Sequence, residues 1–292
     1  MIKVVPGPAS RRLGASLAEE LKTSVLEVES KVFPDGESYV RLKGEVAGEE
    51  VVVVQSCYPP QDKHLIELLL LVKTIKELGA RKVIAAVPYL AYSRQDKRFL
   101  EGEAVSGRVV LELIGLAGAD ALLTVDVHSE ALLEKLSFKA VNVSAMPLIA
   151  RYLSQLRLLN PFILSPDKKR AREAGLVASL LNTDHGYLEK VRDLSTGEVK
   201  TMVKGLPVEG RDVVIVDDII STGGTIANAA SIVKSQGARR VLAACTHPIL
   251  AKGAEERMRK AGVEEIIGTD AVESHVSRVS VAPALAEALR KL

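Results

Sequence analysis

Short apolar runs that are continuous, not alternating, constrain this chain more than any other feature. They are Lys3–Val5, Val51–Gln55, Lys82–Val87, Ala121–Val125, Phe162–Leu164, Val213–Val216, Arg240–Ala244 and Glu265–Ile267. A half-exposed strand alternates apolar and polar residues, whereas a strand covered on both faces has no polar side to show. Segments of helical period separate the runs. Some of these end in Gly-Ala, as at Leu78-Gly79-Ala80 and Gln236-Gly237-Ala238, where glycine supplies a left-handed cap before the next strand. The pattern predicts an α/β fold, with mostly parallel sheets flanked by helices.

The chain also resembles itself. Gly79-Ala80-Arg81-Lys82-Val83-Ile84-Ala85-Ala86 matches Gly237-Ala238-Arg239-Arg240-Val241-Leu242-Ala243-Ala244, and upstream Val51-Val52-Val53-Val54-Gln55-Ser56 matches Val213-Val214-Ile215-Val216-Asp217-Asp218. Two similar domains are expected, residues 1–144 and 145–292, with the boundary near Ser144–Pro147 and a last helix, about 282–292, that packs back on the first domain. The copies part company after the matched strands. The second continues into Ser221-Thr222-Gly223-Gly224-Thr225, the first into Cys57-Tyr58-Pro59-Pro60-Gln61, so a phosphate cradle is expected in the second alone.

Composition narrows the function classes. Thirty-nine Lys and Arg against 37 Asp and Glu leave a net charge of +2, which offers no general attraction for nucleic acid or a membrane surface. An apolar share of 47% with no Trp implies a large core of Val, Leu, Ile and Ala. The two cysteines, Cys57 and Cys245, have neither disulfide-framework nor metal-site spacing and read as reduced core thiols. The opening Met1-Ile2-Lys3-Val4-Val5-Pro6 lacks a signal-peptide layout, and Leu65–Ile75, with Glu67 and Lys73 inside it, reads as a buried helix and not a membrane span. A soluble cytoplasmic protein is expected.

The chemistry concentrates in Asp217-Asp218-Ile219-Ile220-Ser221-Thr222-Gly223-Gly224-Thr225. In open α/β sheets ligands bind at the carboxyl ends of strands, where Asp217 and Asp218 stand. Gly223 and Gly224 allow close backbone approach, the following helix start offers free N–H groups, and Ser221, Thr222 and Thr225 add hydroxyls. A sugar phosphate suits such a loop. The carboxylates would accept hydrogen bonds from ribose hydroxyls or hold Mg²⁺; the plainer use is to stabilise the first helical turn. Gly102-Glu103-Ala104-Val105-Ser106-Gly107-Arg108 lacks the Lys and the Ser or Thr of a Walker A loop and reads as a helix start.

The acidic Thr-Gly-Gly-Thr loop resembles the phosphoribosyl pyrophosphate (PRPP) loop of the type I phosphoribosyltransferase superfamily. Phe33-Pro34-Asp35-Gly36-Glu37, Tyr92-Ser93-Arg94-Gln95-Asp96, Val125-Asp126-Val127-His128-Ser129 and Ser165-Pro166-Asp167 narrow the resemblance to the ribose-phosphate pyrophosphokinase family, across nearly the whole chain. By itself Phe33–Glu37 reads as a hairpin tip; the resemblance makes Phe33, Asp35, Gly36 and Glu37 an adenine-binding loop supplied to a neighbouring subunit, which implies a homo-oligomer. It assigns Arg94 and Gln95 to ATP and places Mg²⁺ at His128 and Asp167. A single imidazole and separate carboxylates do not make a zinc cage, but they suit Mg²⁺. Leu188-Glu189-Lys190-Val191-Arg192-Asp193 reads as a charged surface loop or hairpin; the resemblance makes Lys190 and Arg192 its catalytic pair, with Arg192 also reaching ribose 5-phosphate. The loop Asp217, Asp218, Ser221, Thr222, Gly223, Gly224 and Thr225 becomes the ribose 5-phosphate site. The implied reaction is transfer of the diphosphoryl group of Mg-ATP to ribose 5-phosphate.

Two positions depart from the family pattern. Ser221 stands where many members have Asp, and Lys168-Lys169-Arg170 where members often show Gly. Those three cations would alter effector or phosphate binding, or be merely solvated. A phosphoribosyltransferase that consumes PRPP would share the loop without needing the ATP segments. A non-catalytic regulatory subunit would have lost His128, Asp167, Lys190 and Arg192.

Overall fold

A computed structural model describes residues 2–134, 136–192, 199–202 and 205–292, with residues 190–192 and 199–202 described by their backbone. The chain divides into two compact units: Met1–Ser144 with Ala271–Glu273 and Ser280–Leu292, and Ala145–Asp270 with Ser274–Val279.

The first unit runs β1 (Ile2–Pro6), α1 (Arg11–Leu21), β2 (Glu27–Val32), β3 (Ser38–Lys43), β4 (Glu50–Val54), α2 (Gln61–Glu77), β5 (Lys82–Val87), α3 (Ser106–Ala117), β6 (Ala121–Val125) and β7 (Lys139–Val143). Among the described residues its main sheet is parallel, in the order β1-β4-β5-β6-β7. Val51, Val52, Val53 and Val54 are fully buried. Each contributes roughly 1.5–3 kcal/mol of transfer free energy, and this two-sided burial is why the run carries no polar alternation. The antiparallel hairpin β2–β3 stands apart from the main sheet.

The second unit runs α4 (Met146–Gln155), β8 (Phe162–Ser165), α5 (Ala171–Leu181), β9 (Asp184–Tyr187), β10 (Glu189–Arg192), β11 (Val199–Met202), β12 (Asp212–Ile220), α6 (Gly224–Ser235), β13 (Arg240–Pro248), α7 (Ala254–Lys260), β14 (Glu265–Thr269) and β15 (Ser277–Val279). Its sheet is again parallel, ordered β15-β14-β13-β12-β8-β9. The closing helix α8 (Ala282–Leu289) belongs to the first unit, where it packs on α1 and β7.

The two sheets repeat one topology. β1-β4-β5-β6-β7 corresponds to β8-β12-β13-β14-β15, and hairpin β2–β3 to hairpin β10–β11. The edge strand β9 has a rudimentary counterpart in a parallel bridge between Val4 and Val25. Strand register agrees, since Val51 faces Val83 as Val213 faces Val241. Even the caps repeat: Gly79 and Gly237 have φ of 87° and 85°, and their carbonyls accept from Gly48 and Gly210 N–H at 2.8 Å in both cases. Only glycine takes that left-handed backbone without strain, which is why Gly-Ala recurs in the sequence.

Both cysteines are buried and free, and burial pushes the Cys57 thiol up to about 12. Among the described residues no helix is long and apolar enough to cross a membrane.

Candidate active site

The acidic pair and the Thr-Gly-Gly-Thr loop form one continuous feature at the carboxyl end of β12. Asp217 is still in register with Cys245 of β13, and the strand ends at Ile220. The loop that follows has every carbonyl tied down. Ile220 O accepts from Leu250 N at 3.0 Å, Ser221 O from Ala251 N at 2.9 Å, Thr222 O from Arg257 Nη1 at 2.5 Å and Gly223 O from Ala227 N at 2.8 Å. With the carbonyls committed, the N–H groups are left over. No acceptor among the described residues takes the N–H groups of Ser221 to Ile226, and α6 has no side-chain cap. Six consecutive donors at the positive end of a three-turn helix make an anion cradle.

Glycine is required here for two different reasons. Gly223 has φ of 71°, and a Cβ on it would lie 2.9 Å from Ala254 O and 3.0 Å from Met258 Cγ, so the loop is pressed onto the start of α7. Gly224 has open space instead, with only Thr222 Oγ1 at 3.7 Å. That space lies at the first N–H groups of α6. Ser221 is partly buried, and Thr222 and Thr225 are exposed.

The two carboxylates are unequal. Asp218 is buried, and its Oδ2 accepts from Arg170 Nη2. Asp217 accepts its neighbour's N–H at 2.9 Å. Burial first, and the Asp218 charge second, push the Asp217 carboxyl up to about 8. In the ligand-free protein the native state therefore keeps a proton that the unfolded chain gives up near the ordinary value of 3.8. Unfolding releases that proton, so stability falls as pH rises from about 4 to about 8. Asp217→Asn removes this dependence: its melting temperature relative to wild type should climb between pH 5 and pH 8. A difference that stays constant across this range would show that the carboxyl is not held neutral.

The corresponding place in the first unit is closed by the protein itself. Gln55 and Ser56 stand where Asp217 and Asp218 stand in the second. Gln55 Oε1 accepts from Ala9 N at 3.0 Å, while Nε2 donates to His64 O and Glu67 Oε2, both at 3.2 Å. Ser56 N donates to Ser10 Oγ at 2.9 Å, and Cys57 N to Tyr89 O at 2.9 Å. The Ser56 and Cys57 N–H groups are thus committed within the protein.

The first unit instead presents exposed polar groups at the ends of β5 and β6. Tyr92, with φ of 65°, begins the turn that carries Arg94 and Gln95; Arg94 is exposed, and Gln95 Nε2 donates to Glu103 Oε2 at 3.4 Å. Asp126, with φ of 39°, follows β6, and Val127 N is held by Asn142 Oδ1 at 3.0 Å. Left-handed backbone at non-glycine residues costs energy and persists only where surrounding bonds enforce it. The exposed His128 comes immediately after. Phe33, Asp35, Gly36 and Glu37 form the exposed tip of β2–β3, closed by Phe33 N to Glu37 O at 2.8 Å and Gly36 N to Phe33 O at 2.9 Å. The Phe33 ring packs edge-on against Tyr39 with Lys31 Nζ 5.0 Å above it. Among the described residues no hydrogen bond or ring contact joins this tip to Arg94 or Gln95.

Comparison with known proteins settles the family. A model described as the N-terminal domain of ribose phosphate pyrophosphokinase matches residues 2–118, and one described as the phosphoribosyl transferase domain matches residues 141–280. The ribose-phosphate pyrophosphokinase of Methanothermobacter thermautotrophicus is 47% identical over 97% of this chain and 98% of its own. The chain belongs to the ribose-phosphate pyrophosphokinase family. The Sulfolobus acidocaldarius enzyme of the same name is 41% identical over 99% of both chains. The crystal structure of phosphoribosylpyrophosphate synthetase from Mycobacterium smegmatis superimposes with a TM-score of 0.87 at 30% identity, covering 99% of this chain and 97% of that one.

Members of the ribose-phosphate pyrophosphokinase family transfer a group from a nucleotide, which raises the question of a metal. Among the described residues no three His, Cys, Asp or Glu side chains gather as a ready-made cage. His128 stands in the first unit and Asp167 in the second, where Asp167 Oδ1 accepts from Lys169 N at 3.0 Å and Arg170 N at 3.4 Å. Mg²⁺ keeps waters and uses one or two protein groups plus substrate phosphates, so an imidazole or a carboxylate is each, by itself, a group that Mg-nucleotide can use. Lys190 and Arg192 have their backbone in β10, opposite Thr201 and Val199 of β11; their side chains lie outside the described residues.

The roles of two residues of this family member were not read from the sequence. Arg257 holds the Thr222 carbonyl from a helix 35 residues away, with no local signal. Arg170, read in the sequence only as one of three cations that would alter effector or phosphate binding or be solvated, pairs with Asp218 and Glu173 and is partly buried, whereas Lys168 and Lys169 are exposed.

Proposed function

We propose that this chain catalyses transfer of the β,γ-diphosphoryl group of Mg-ATP to the C1 hydroxyl of ribose 5-phosphate, giving PRPP and AMP. The observation that carries the acceptor half is the loop after β12, whose carbonyls are all committed while six N–H groups remain. A dianionic 5-phosphate fits that set, with the hydroxyls of Ser221, Thr222 and Thr225 beside it. Asp217 and Asp218 accept from the ribose hydroxyls. ATP belongs with the first unit: Arg94 and Gln95 hold its phosphates, and the Phe33 tip with Asp35, Gly36 and Glu37 holds the adenine of a neighbouring copy in a homo-oligomer.

The C1 oxygen attacks the β-phosphorus, the bond to the α–β bridging oxygen breaks, AMP leaves, and the hydroxyl proton passes to solvent. Little covalent work falls to the protein, which positions the partners and neutralises charge. Lys190 and Arg192 supply positive charge as it develops on the transferring phosphates. His128 and Asp167 would hold Mg²⁺, which supplies charge neutralisation on the polyphosphate when bound. A phosphoribosyltransferase needs one such cradle and no first unit, so the two-unit architecture favours the diphosphokinase reading.

The test is AMP formation from ATP, assayed with ribose 5-phosphate and Mg²⁺ present or withheld singly. Product that requires both is expected. ADP as the nucleotide product, or no nucleotide product at all, would overturn the proposal.

A further inference from the structure

We infer that Arg170 is a positioning residue for ribose 5-phosphate: it fixes the Asp218 carboxylate at the end of β12 and is itself braced by Glu173. This rests on the acceptor-site reading given above and adds a residue to it.

The guanidinium lies between two carboxylates. Nη2 donates to Asp218 Oδ2, and Nη1 to Glu173 Oε1 at 3.0 Å. The Asp218 side chain is 6% exposed and that of Arg170 17%, so the pair is shielded from the water that makes surface ion pairs weak. The backbone from which Arg170 springs is fixed as well, because Asp167 Oδ1 accepts from the N–H groups of Lys169 and Arg170. Glu173 braces the guanidinium from one helical turn along α5, and its Oε2 is buried without a partner among the described residues.

The fold does not require an ion pair here, and the first unit provides the control. Ser56 stands where Asp218 does, and its side chain is held by neutral hydrogen bonds alone: its Oγ accepts from Tyr89 N at 3.0 Å and donates to Ala271 O. The same topological joint is neutral where there is no sugar-phosphate loop and charged where there is one. A fixed acceptor saves the sugar the cost of ordering it, which appears as affinity.

The test uses the full chain and compares wild type with Arg170→Ala, Arg170→Lys, Glu173→Gln, Asp218→Asn and the double variant Arg170→Ala/Asp218→Asn. KM for ribose 5-phosphate and for ATP are measured, together with calorimetric Kd for ribose 5-phosphate alone; thermal melts verify folding. Arg170→Ala should raise KM and Kd for ribose 5-phosphate about 10–100-fold and leave KM for ATP within about twofold. Arg170→Lys should recover only part of this, since an ammonium cannot bridge both carboxylates as a fork does. The double variant should be no worse than about the poorer single, because both changes disable one acceptor. Unchanged ribose 5-phosphate affinity in Arg170→Ala, an equal rise in both KM values, or losses that multiply in the double variant would overturn the inference. If Arg170→Ala does not fold, Arg170→Lys and Glu173→Gln decide it by the same split. Wild-type chain that binds ribose 5-phosphate but forms no AMP would sink the diphosphokinase reading and leave the Kd comparison to judge Arg170. Wild-type chain that fails to bind the sugar would overturn both.

Discussion

Lys190→Ala should lower kcat for AMP formation by roughly 10²–10³-fold while KM for ribose 5-phosphate shifts little. In the proposed mechanism Lys190 meets charge that accumulates only as the diphosphoryl group moves between oxygens, so its loss should be felt in the transition state and not in the ground state. Its backbone stands on β10, in a hairpin that belongs to neither main sheet, and the fold should survive the change. Steady-state kinetics together with a thermal melt check this. Near-normal kcat would remove Lys190 from the mechanism, and a pure rise in KM would make it a binding residue.

The second large effect separates two adjacent glycines. In Gly223→Ala a methyl group meets Ala254 O at 2.9 Å on a backbone with φ of 71°. That should cost about 1–3 kcal/mol and lower the melting temperature by several degrees. In Gly224→Ala the methyl meets nothing nearer than Thr222 Oγ1 at 3.7 Å, so the melt should be nearly unchanged. Yet it intrudes on the N–H groups that a phosphate must approach, and KM for ribose 5-phosphate should rise roughly 10–100-fold. A stable Gly224→Ala enzyme with wild-type KM would show that the phosphate does not sit on this loop. Inorganic phosphate offers a second readout: it should protect wild type against thermal unfolding more than it protects Gly224→Ala.

The core strands were legible because burial on both faces leaves a continuous apolar run, and every run read from the sequence falls on a strand, Gln55 alone lying one residue beyond β4. Strands with an exposed face or edge were not legible in this way. β9 reads Asp184-His185-Gly186-Tyr187, and in β2–β3 only Val28 is buried; neither has an apolar run to betray it. The repeat was readable from Gly-Ala-Arg because its capping glycine and its strand start are set by backbone geometry. The acidic pair and its glycine loop were readable because their donors and acceptors are consecutive in the chain. What holds that loop was not. Arg257 and Arg170 reach it across 35 and 48 residues, and a cation that pairs at long range looks in sequence like any solvated one. Lys168-Lys169-Arg170 is the clearest case, since neighbours of like charge have opposite fates depending on which side of a short helical turn they occupy.

The proposed chemistry differs from an ordinary kinase in which bond of ATP is broken, and labelled ATP reports that directly. Incubation with ribose 5-phosphate and Mg²⁺ is run in parallel with ATP labelled at the α- and at the γ-phosphorus. Attack at the β-phosphorus sends the α label to AMP and the γ label to the sugar product. Recovery of the α label in ADP, with the γ label in a sugar monophosphoryl ester or in free phosphate, would contradict the account.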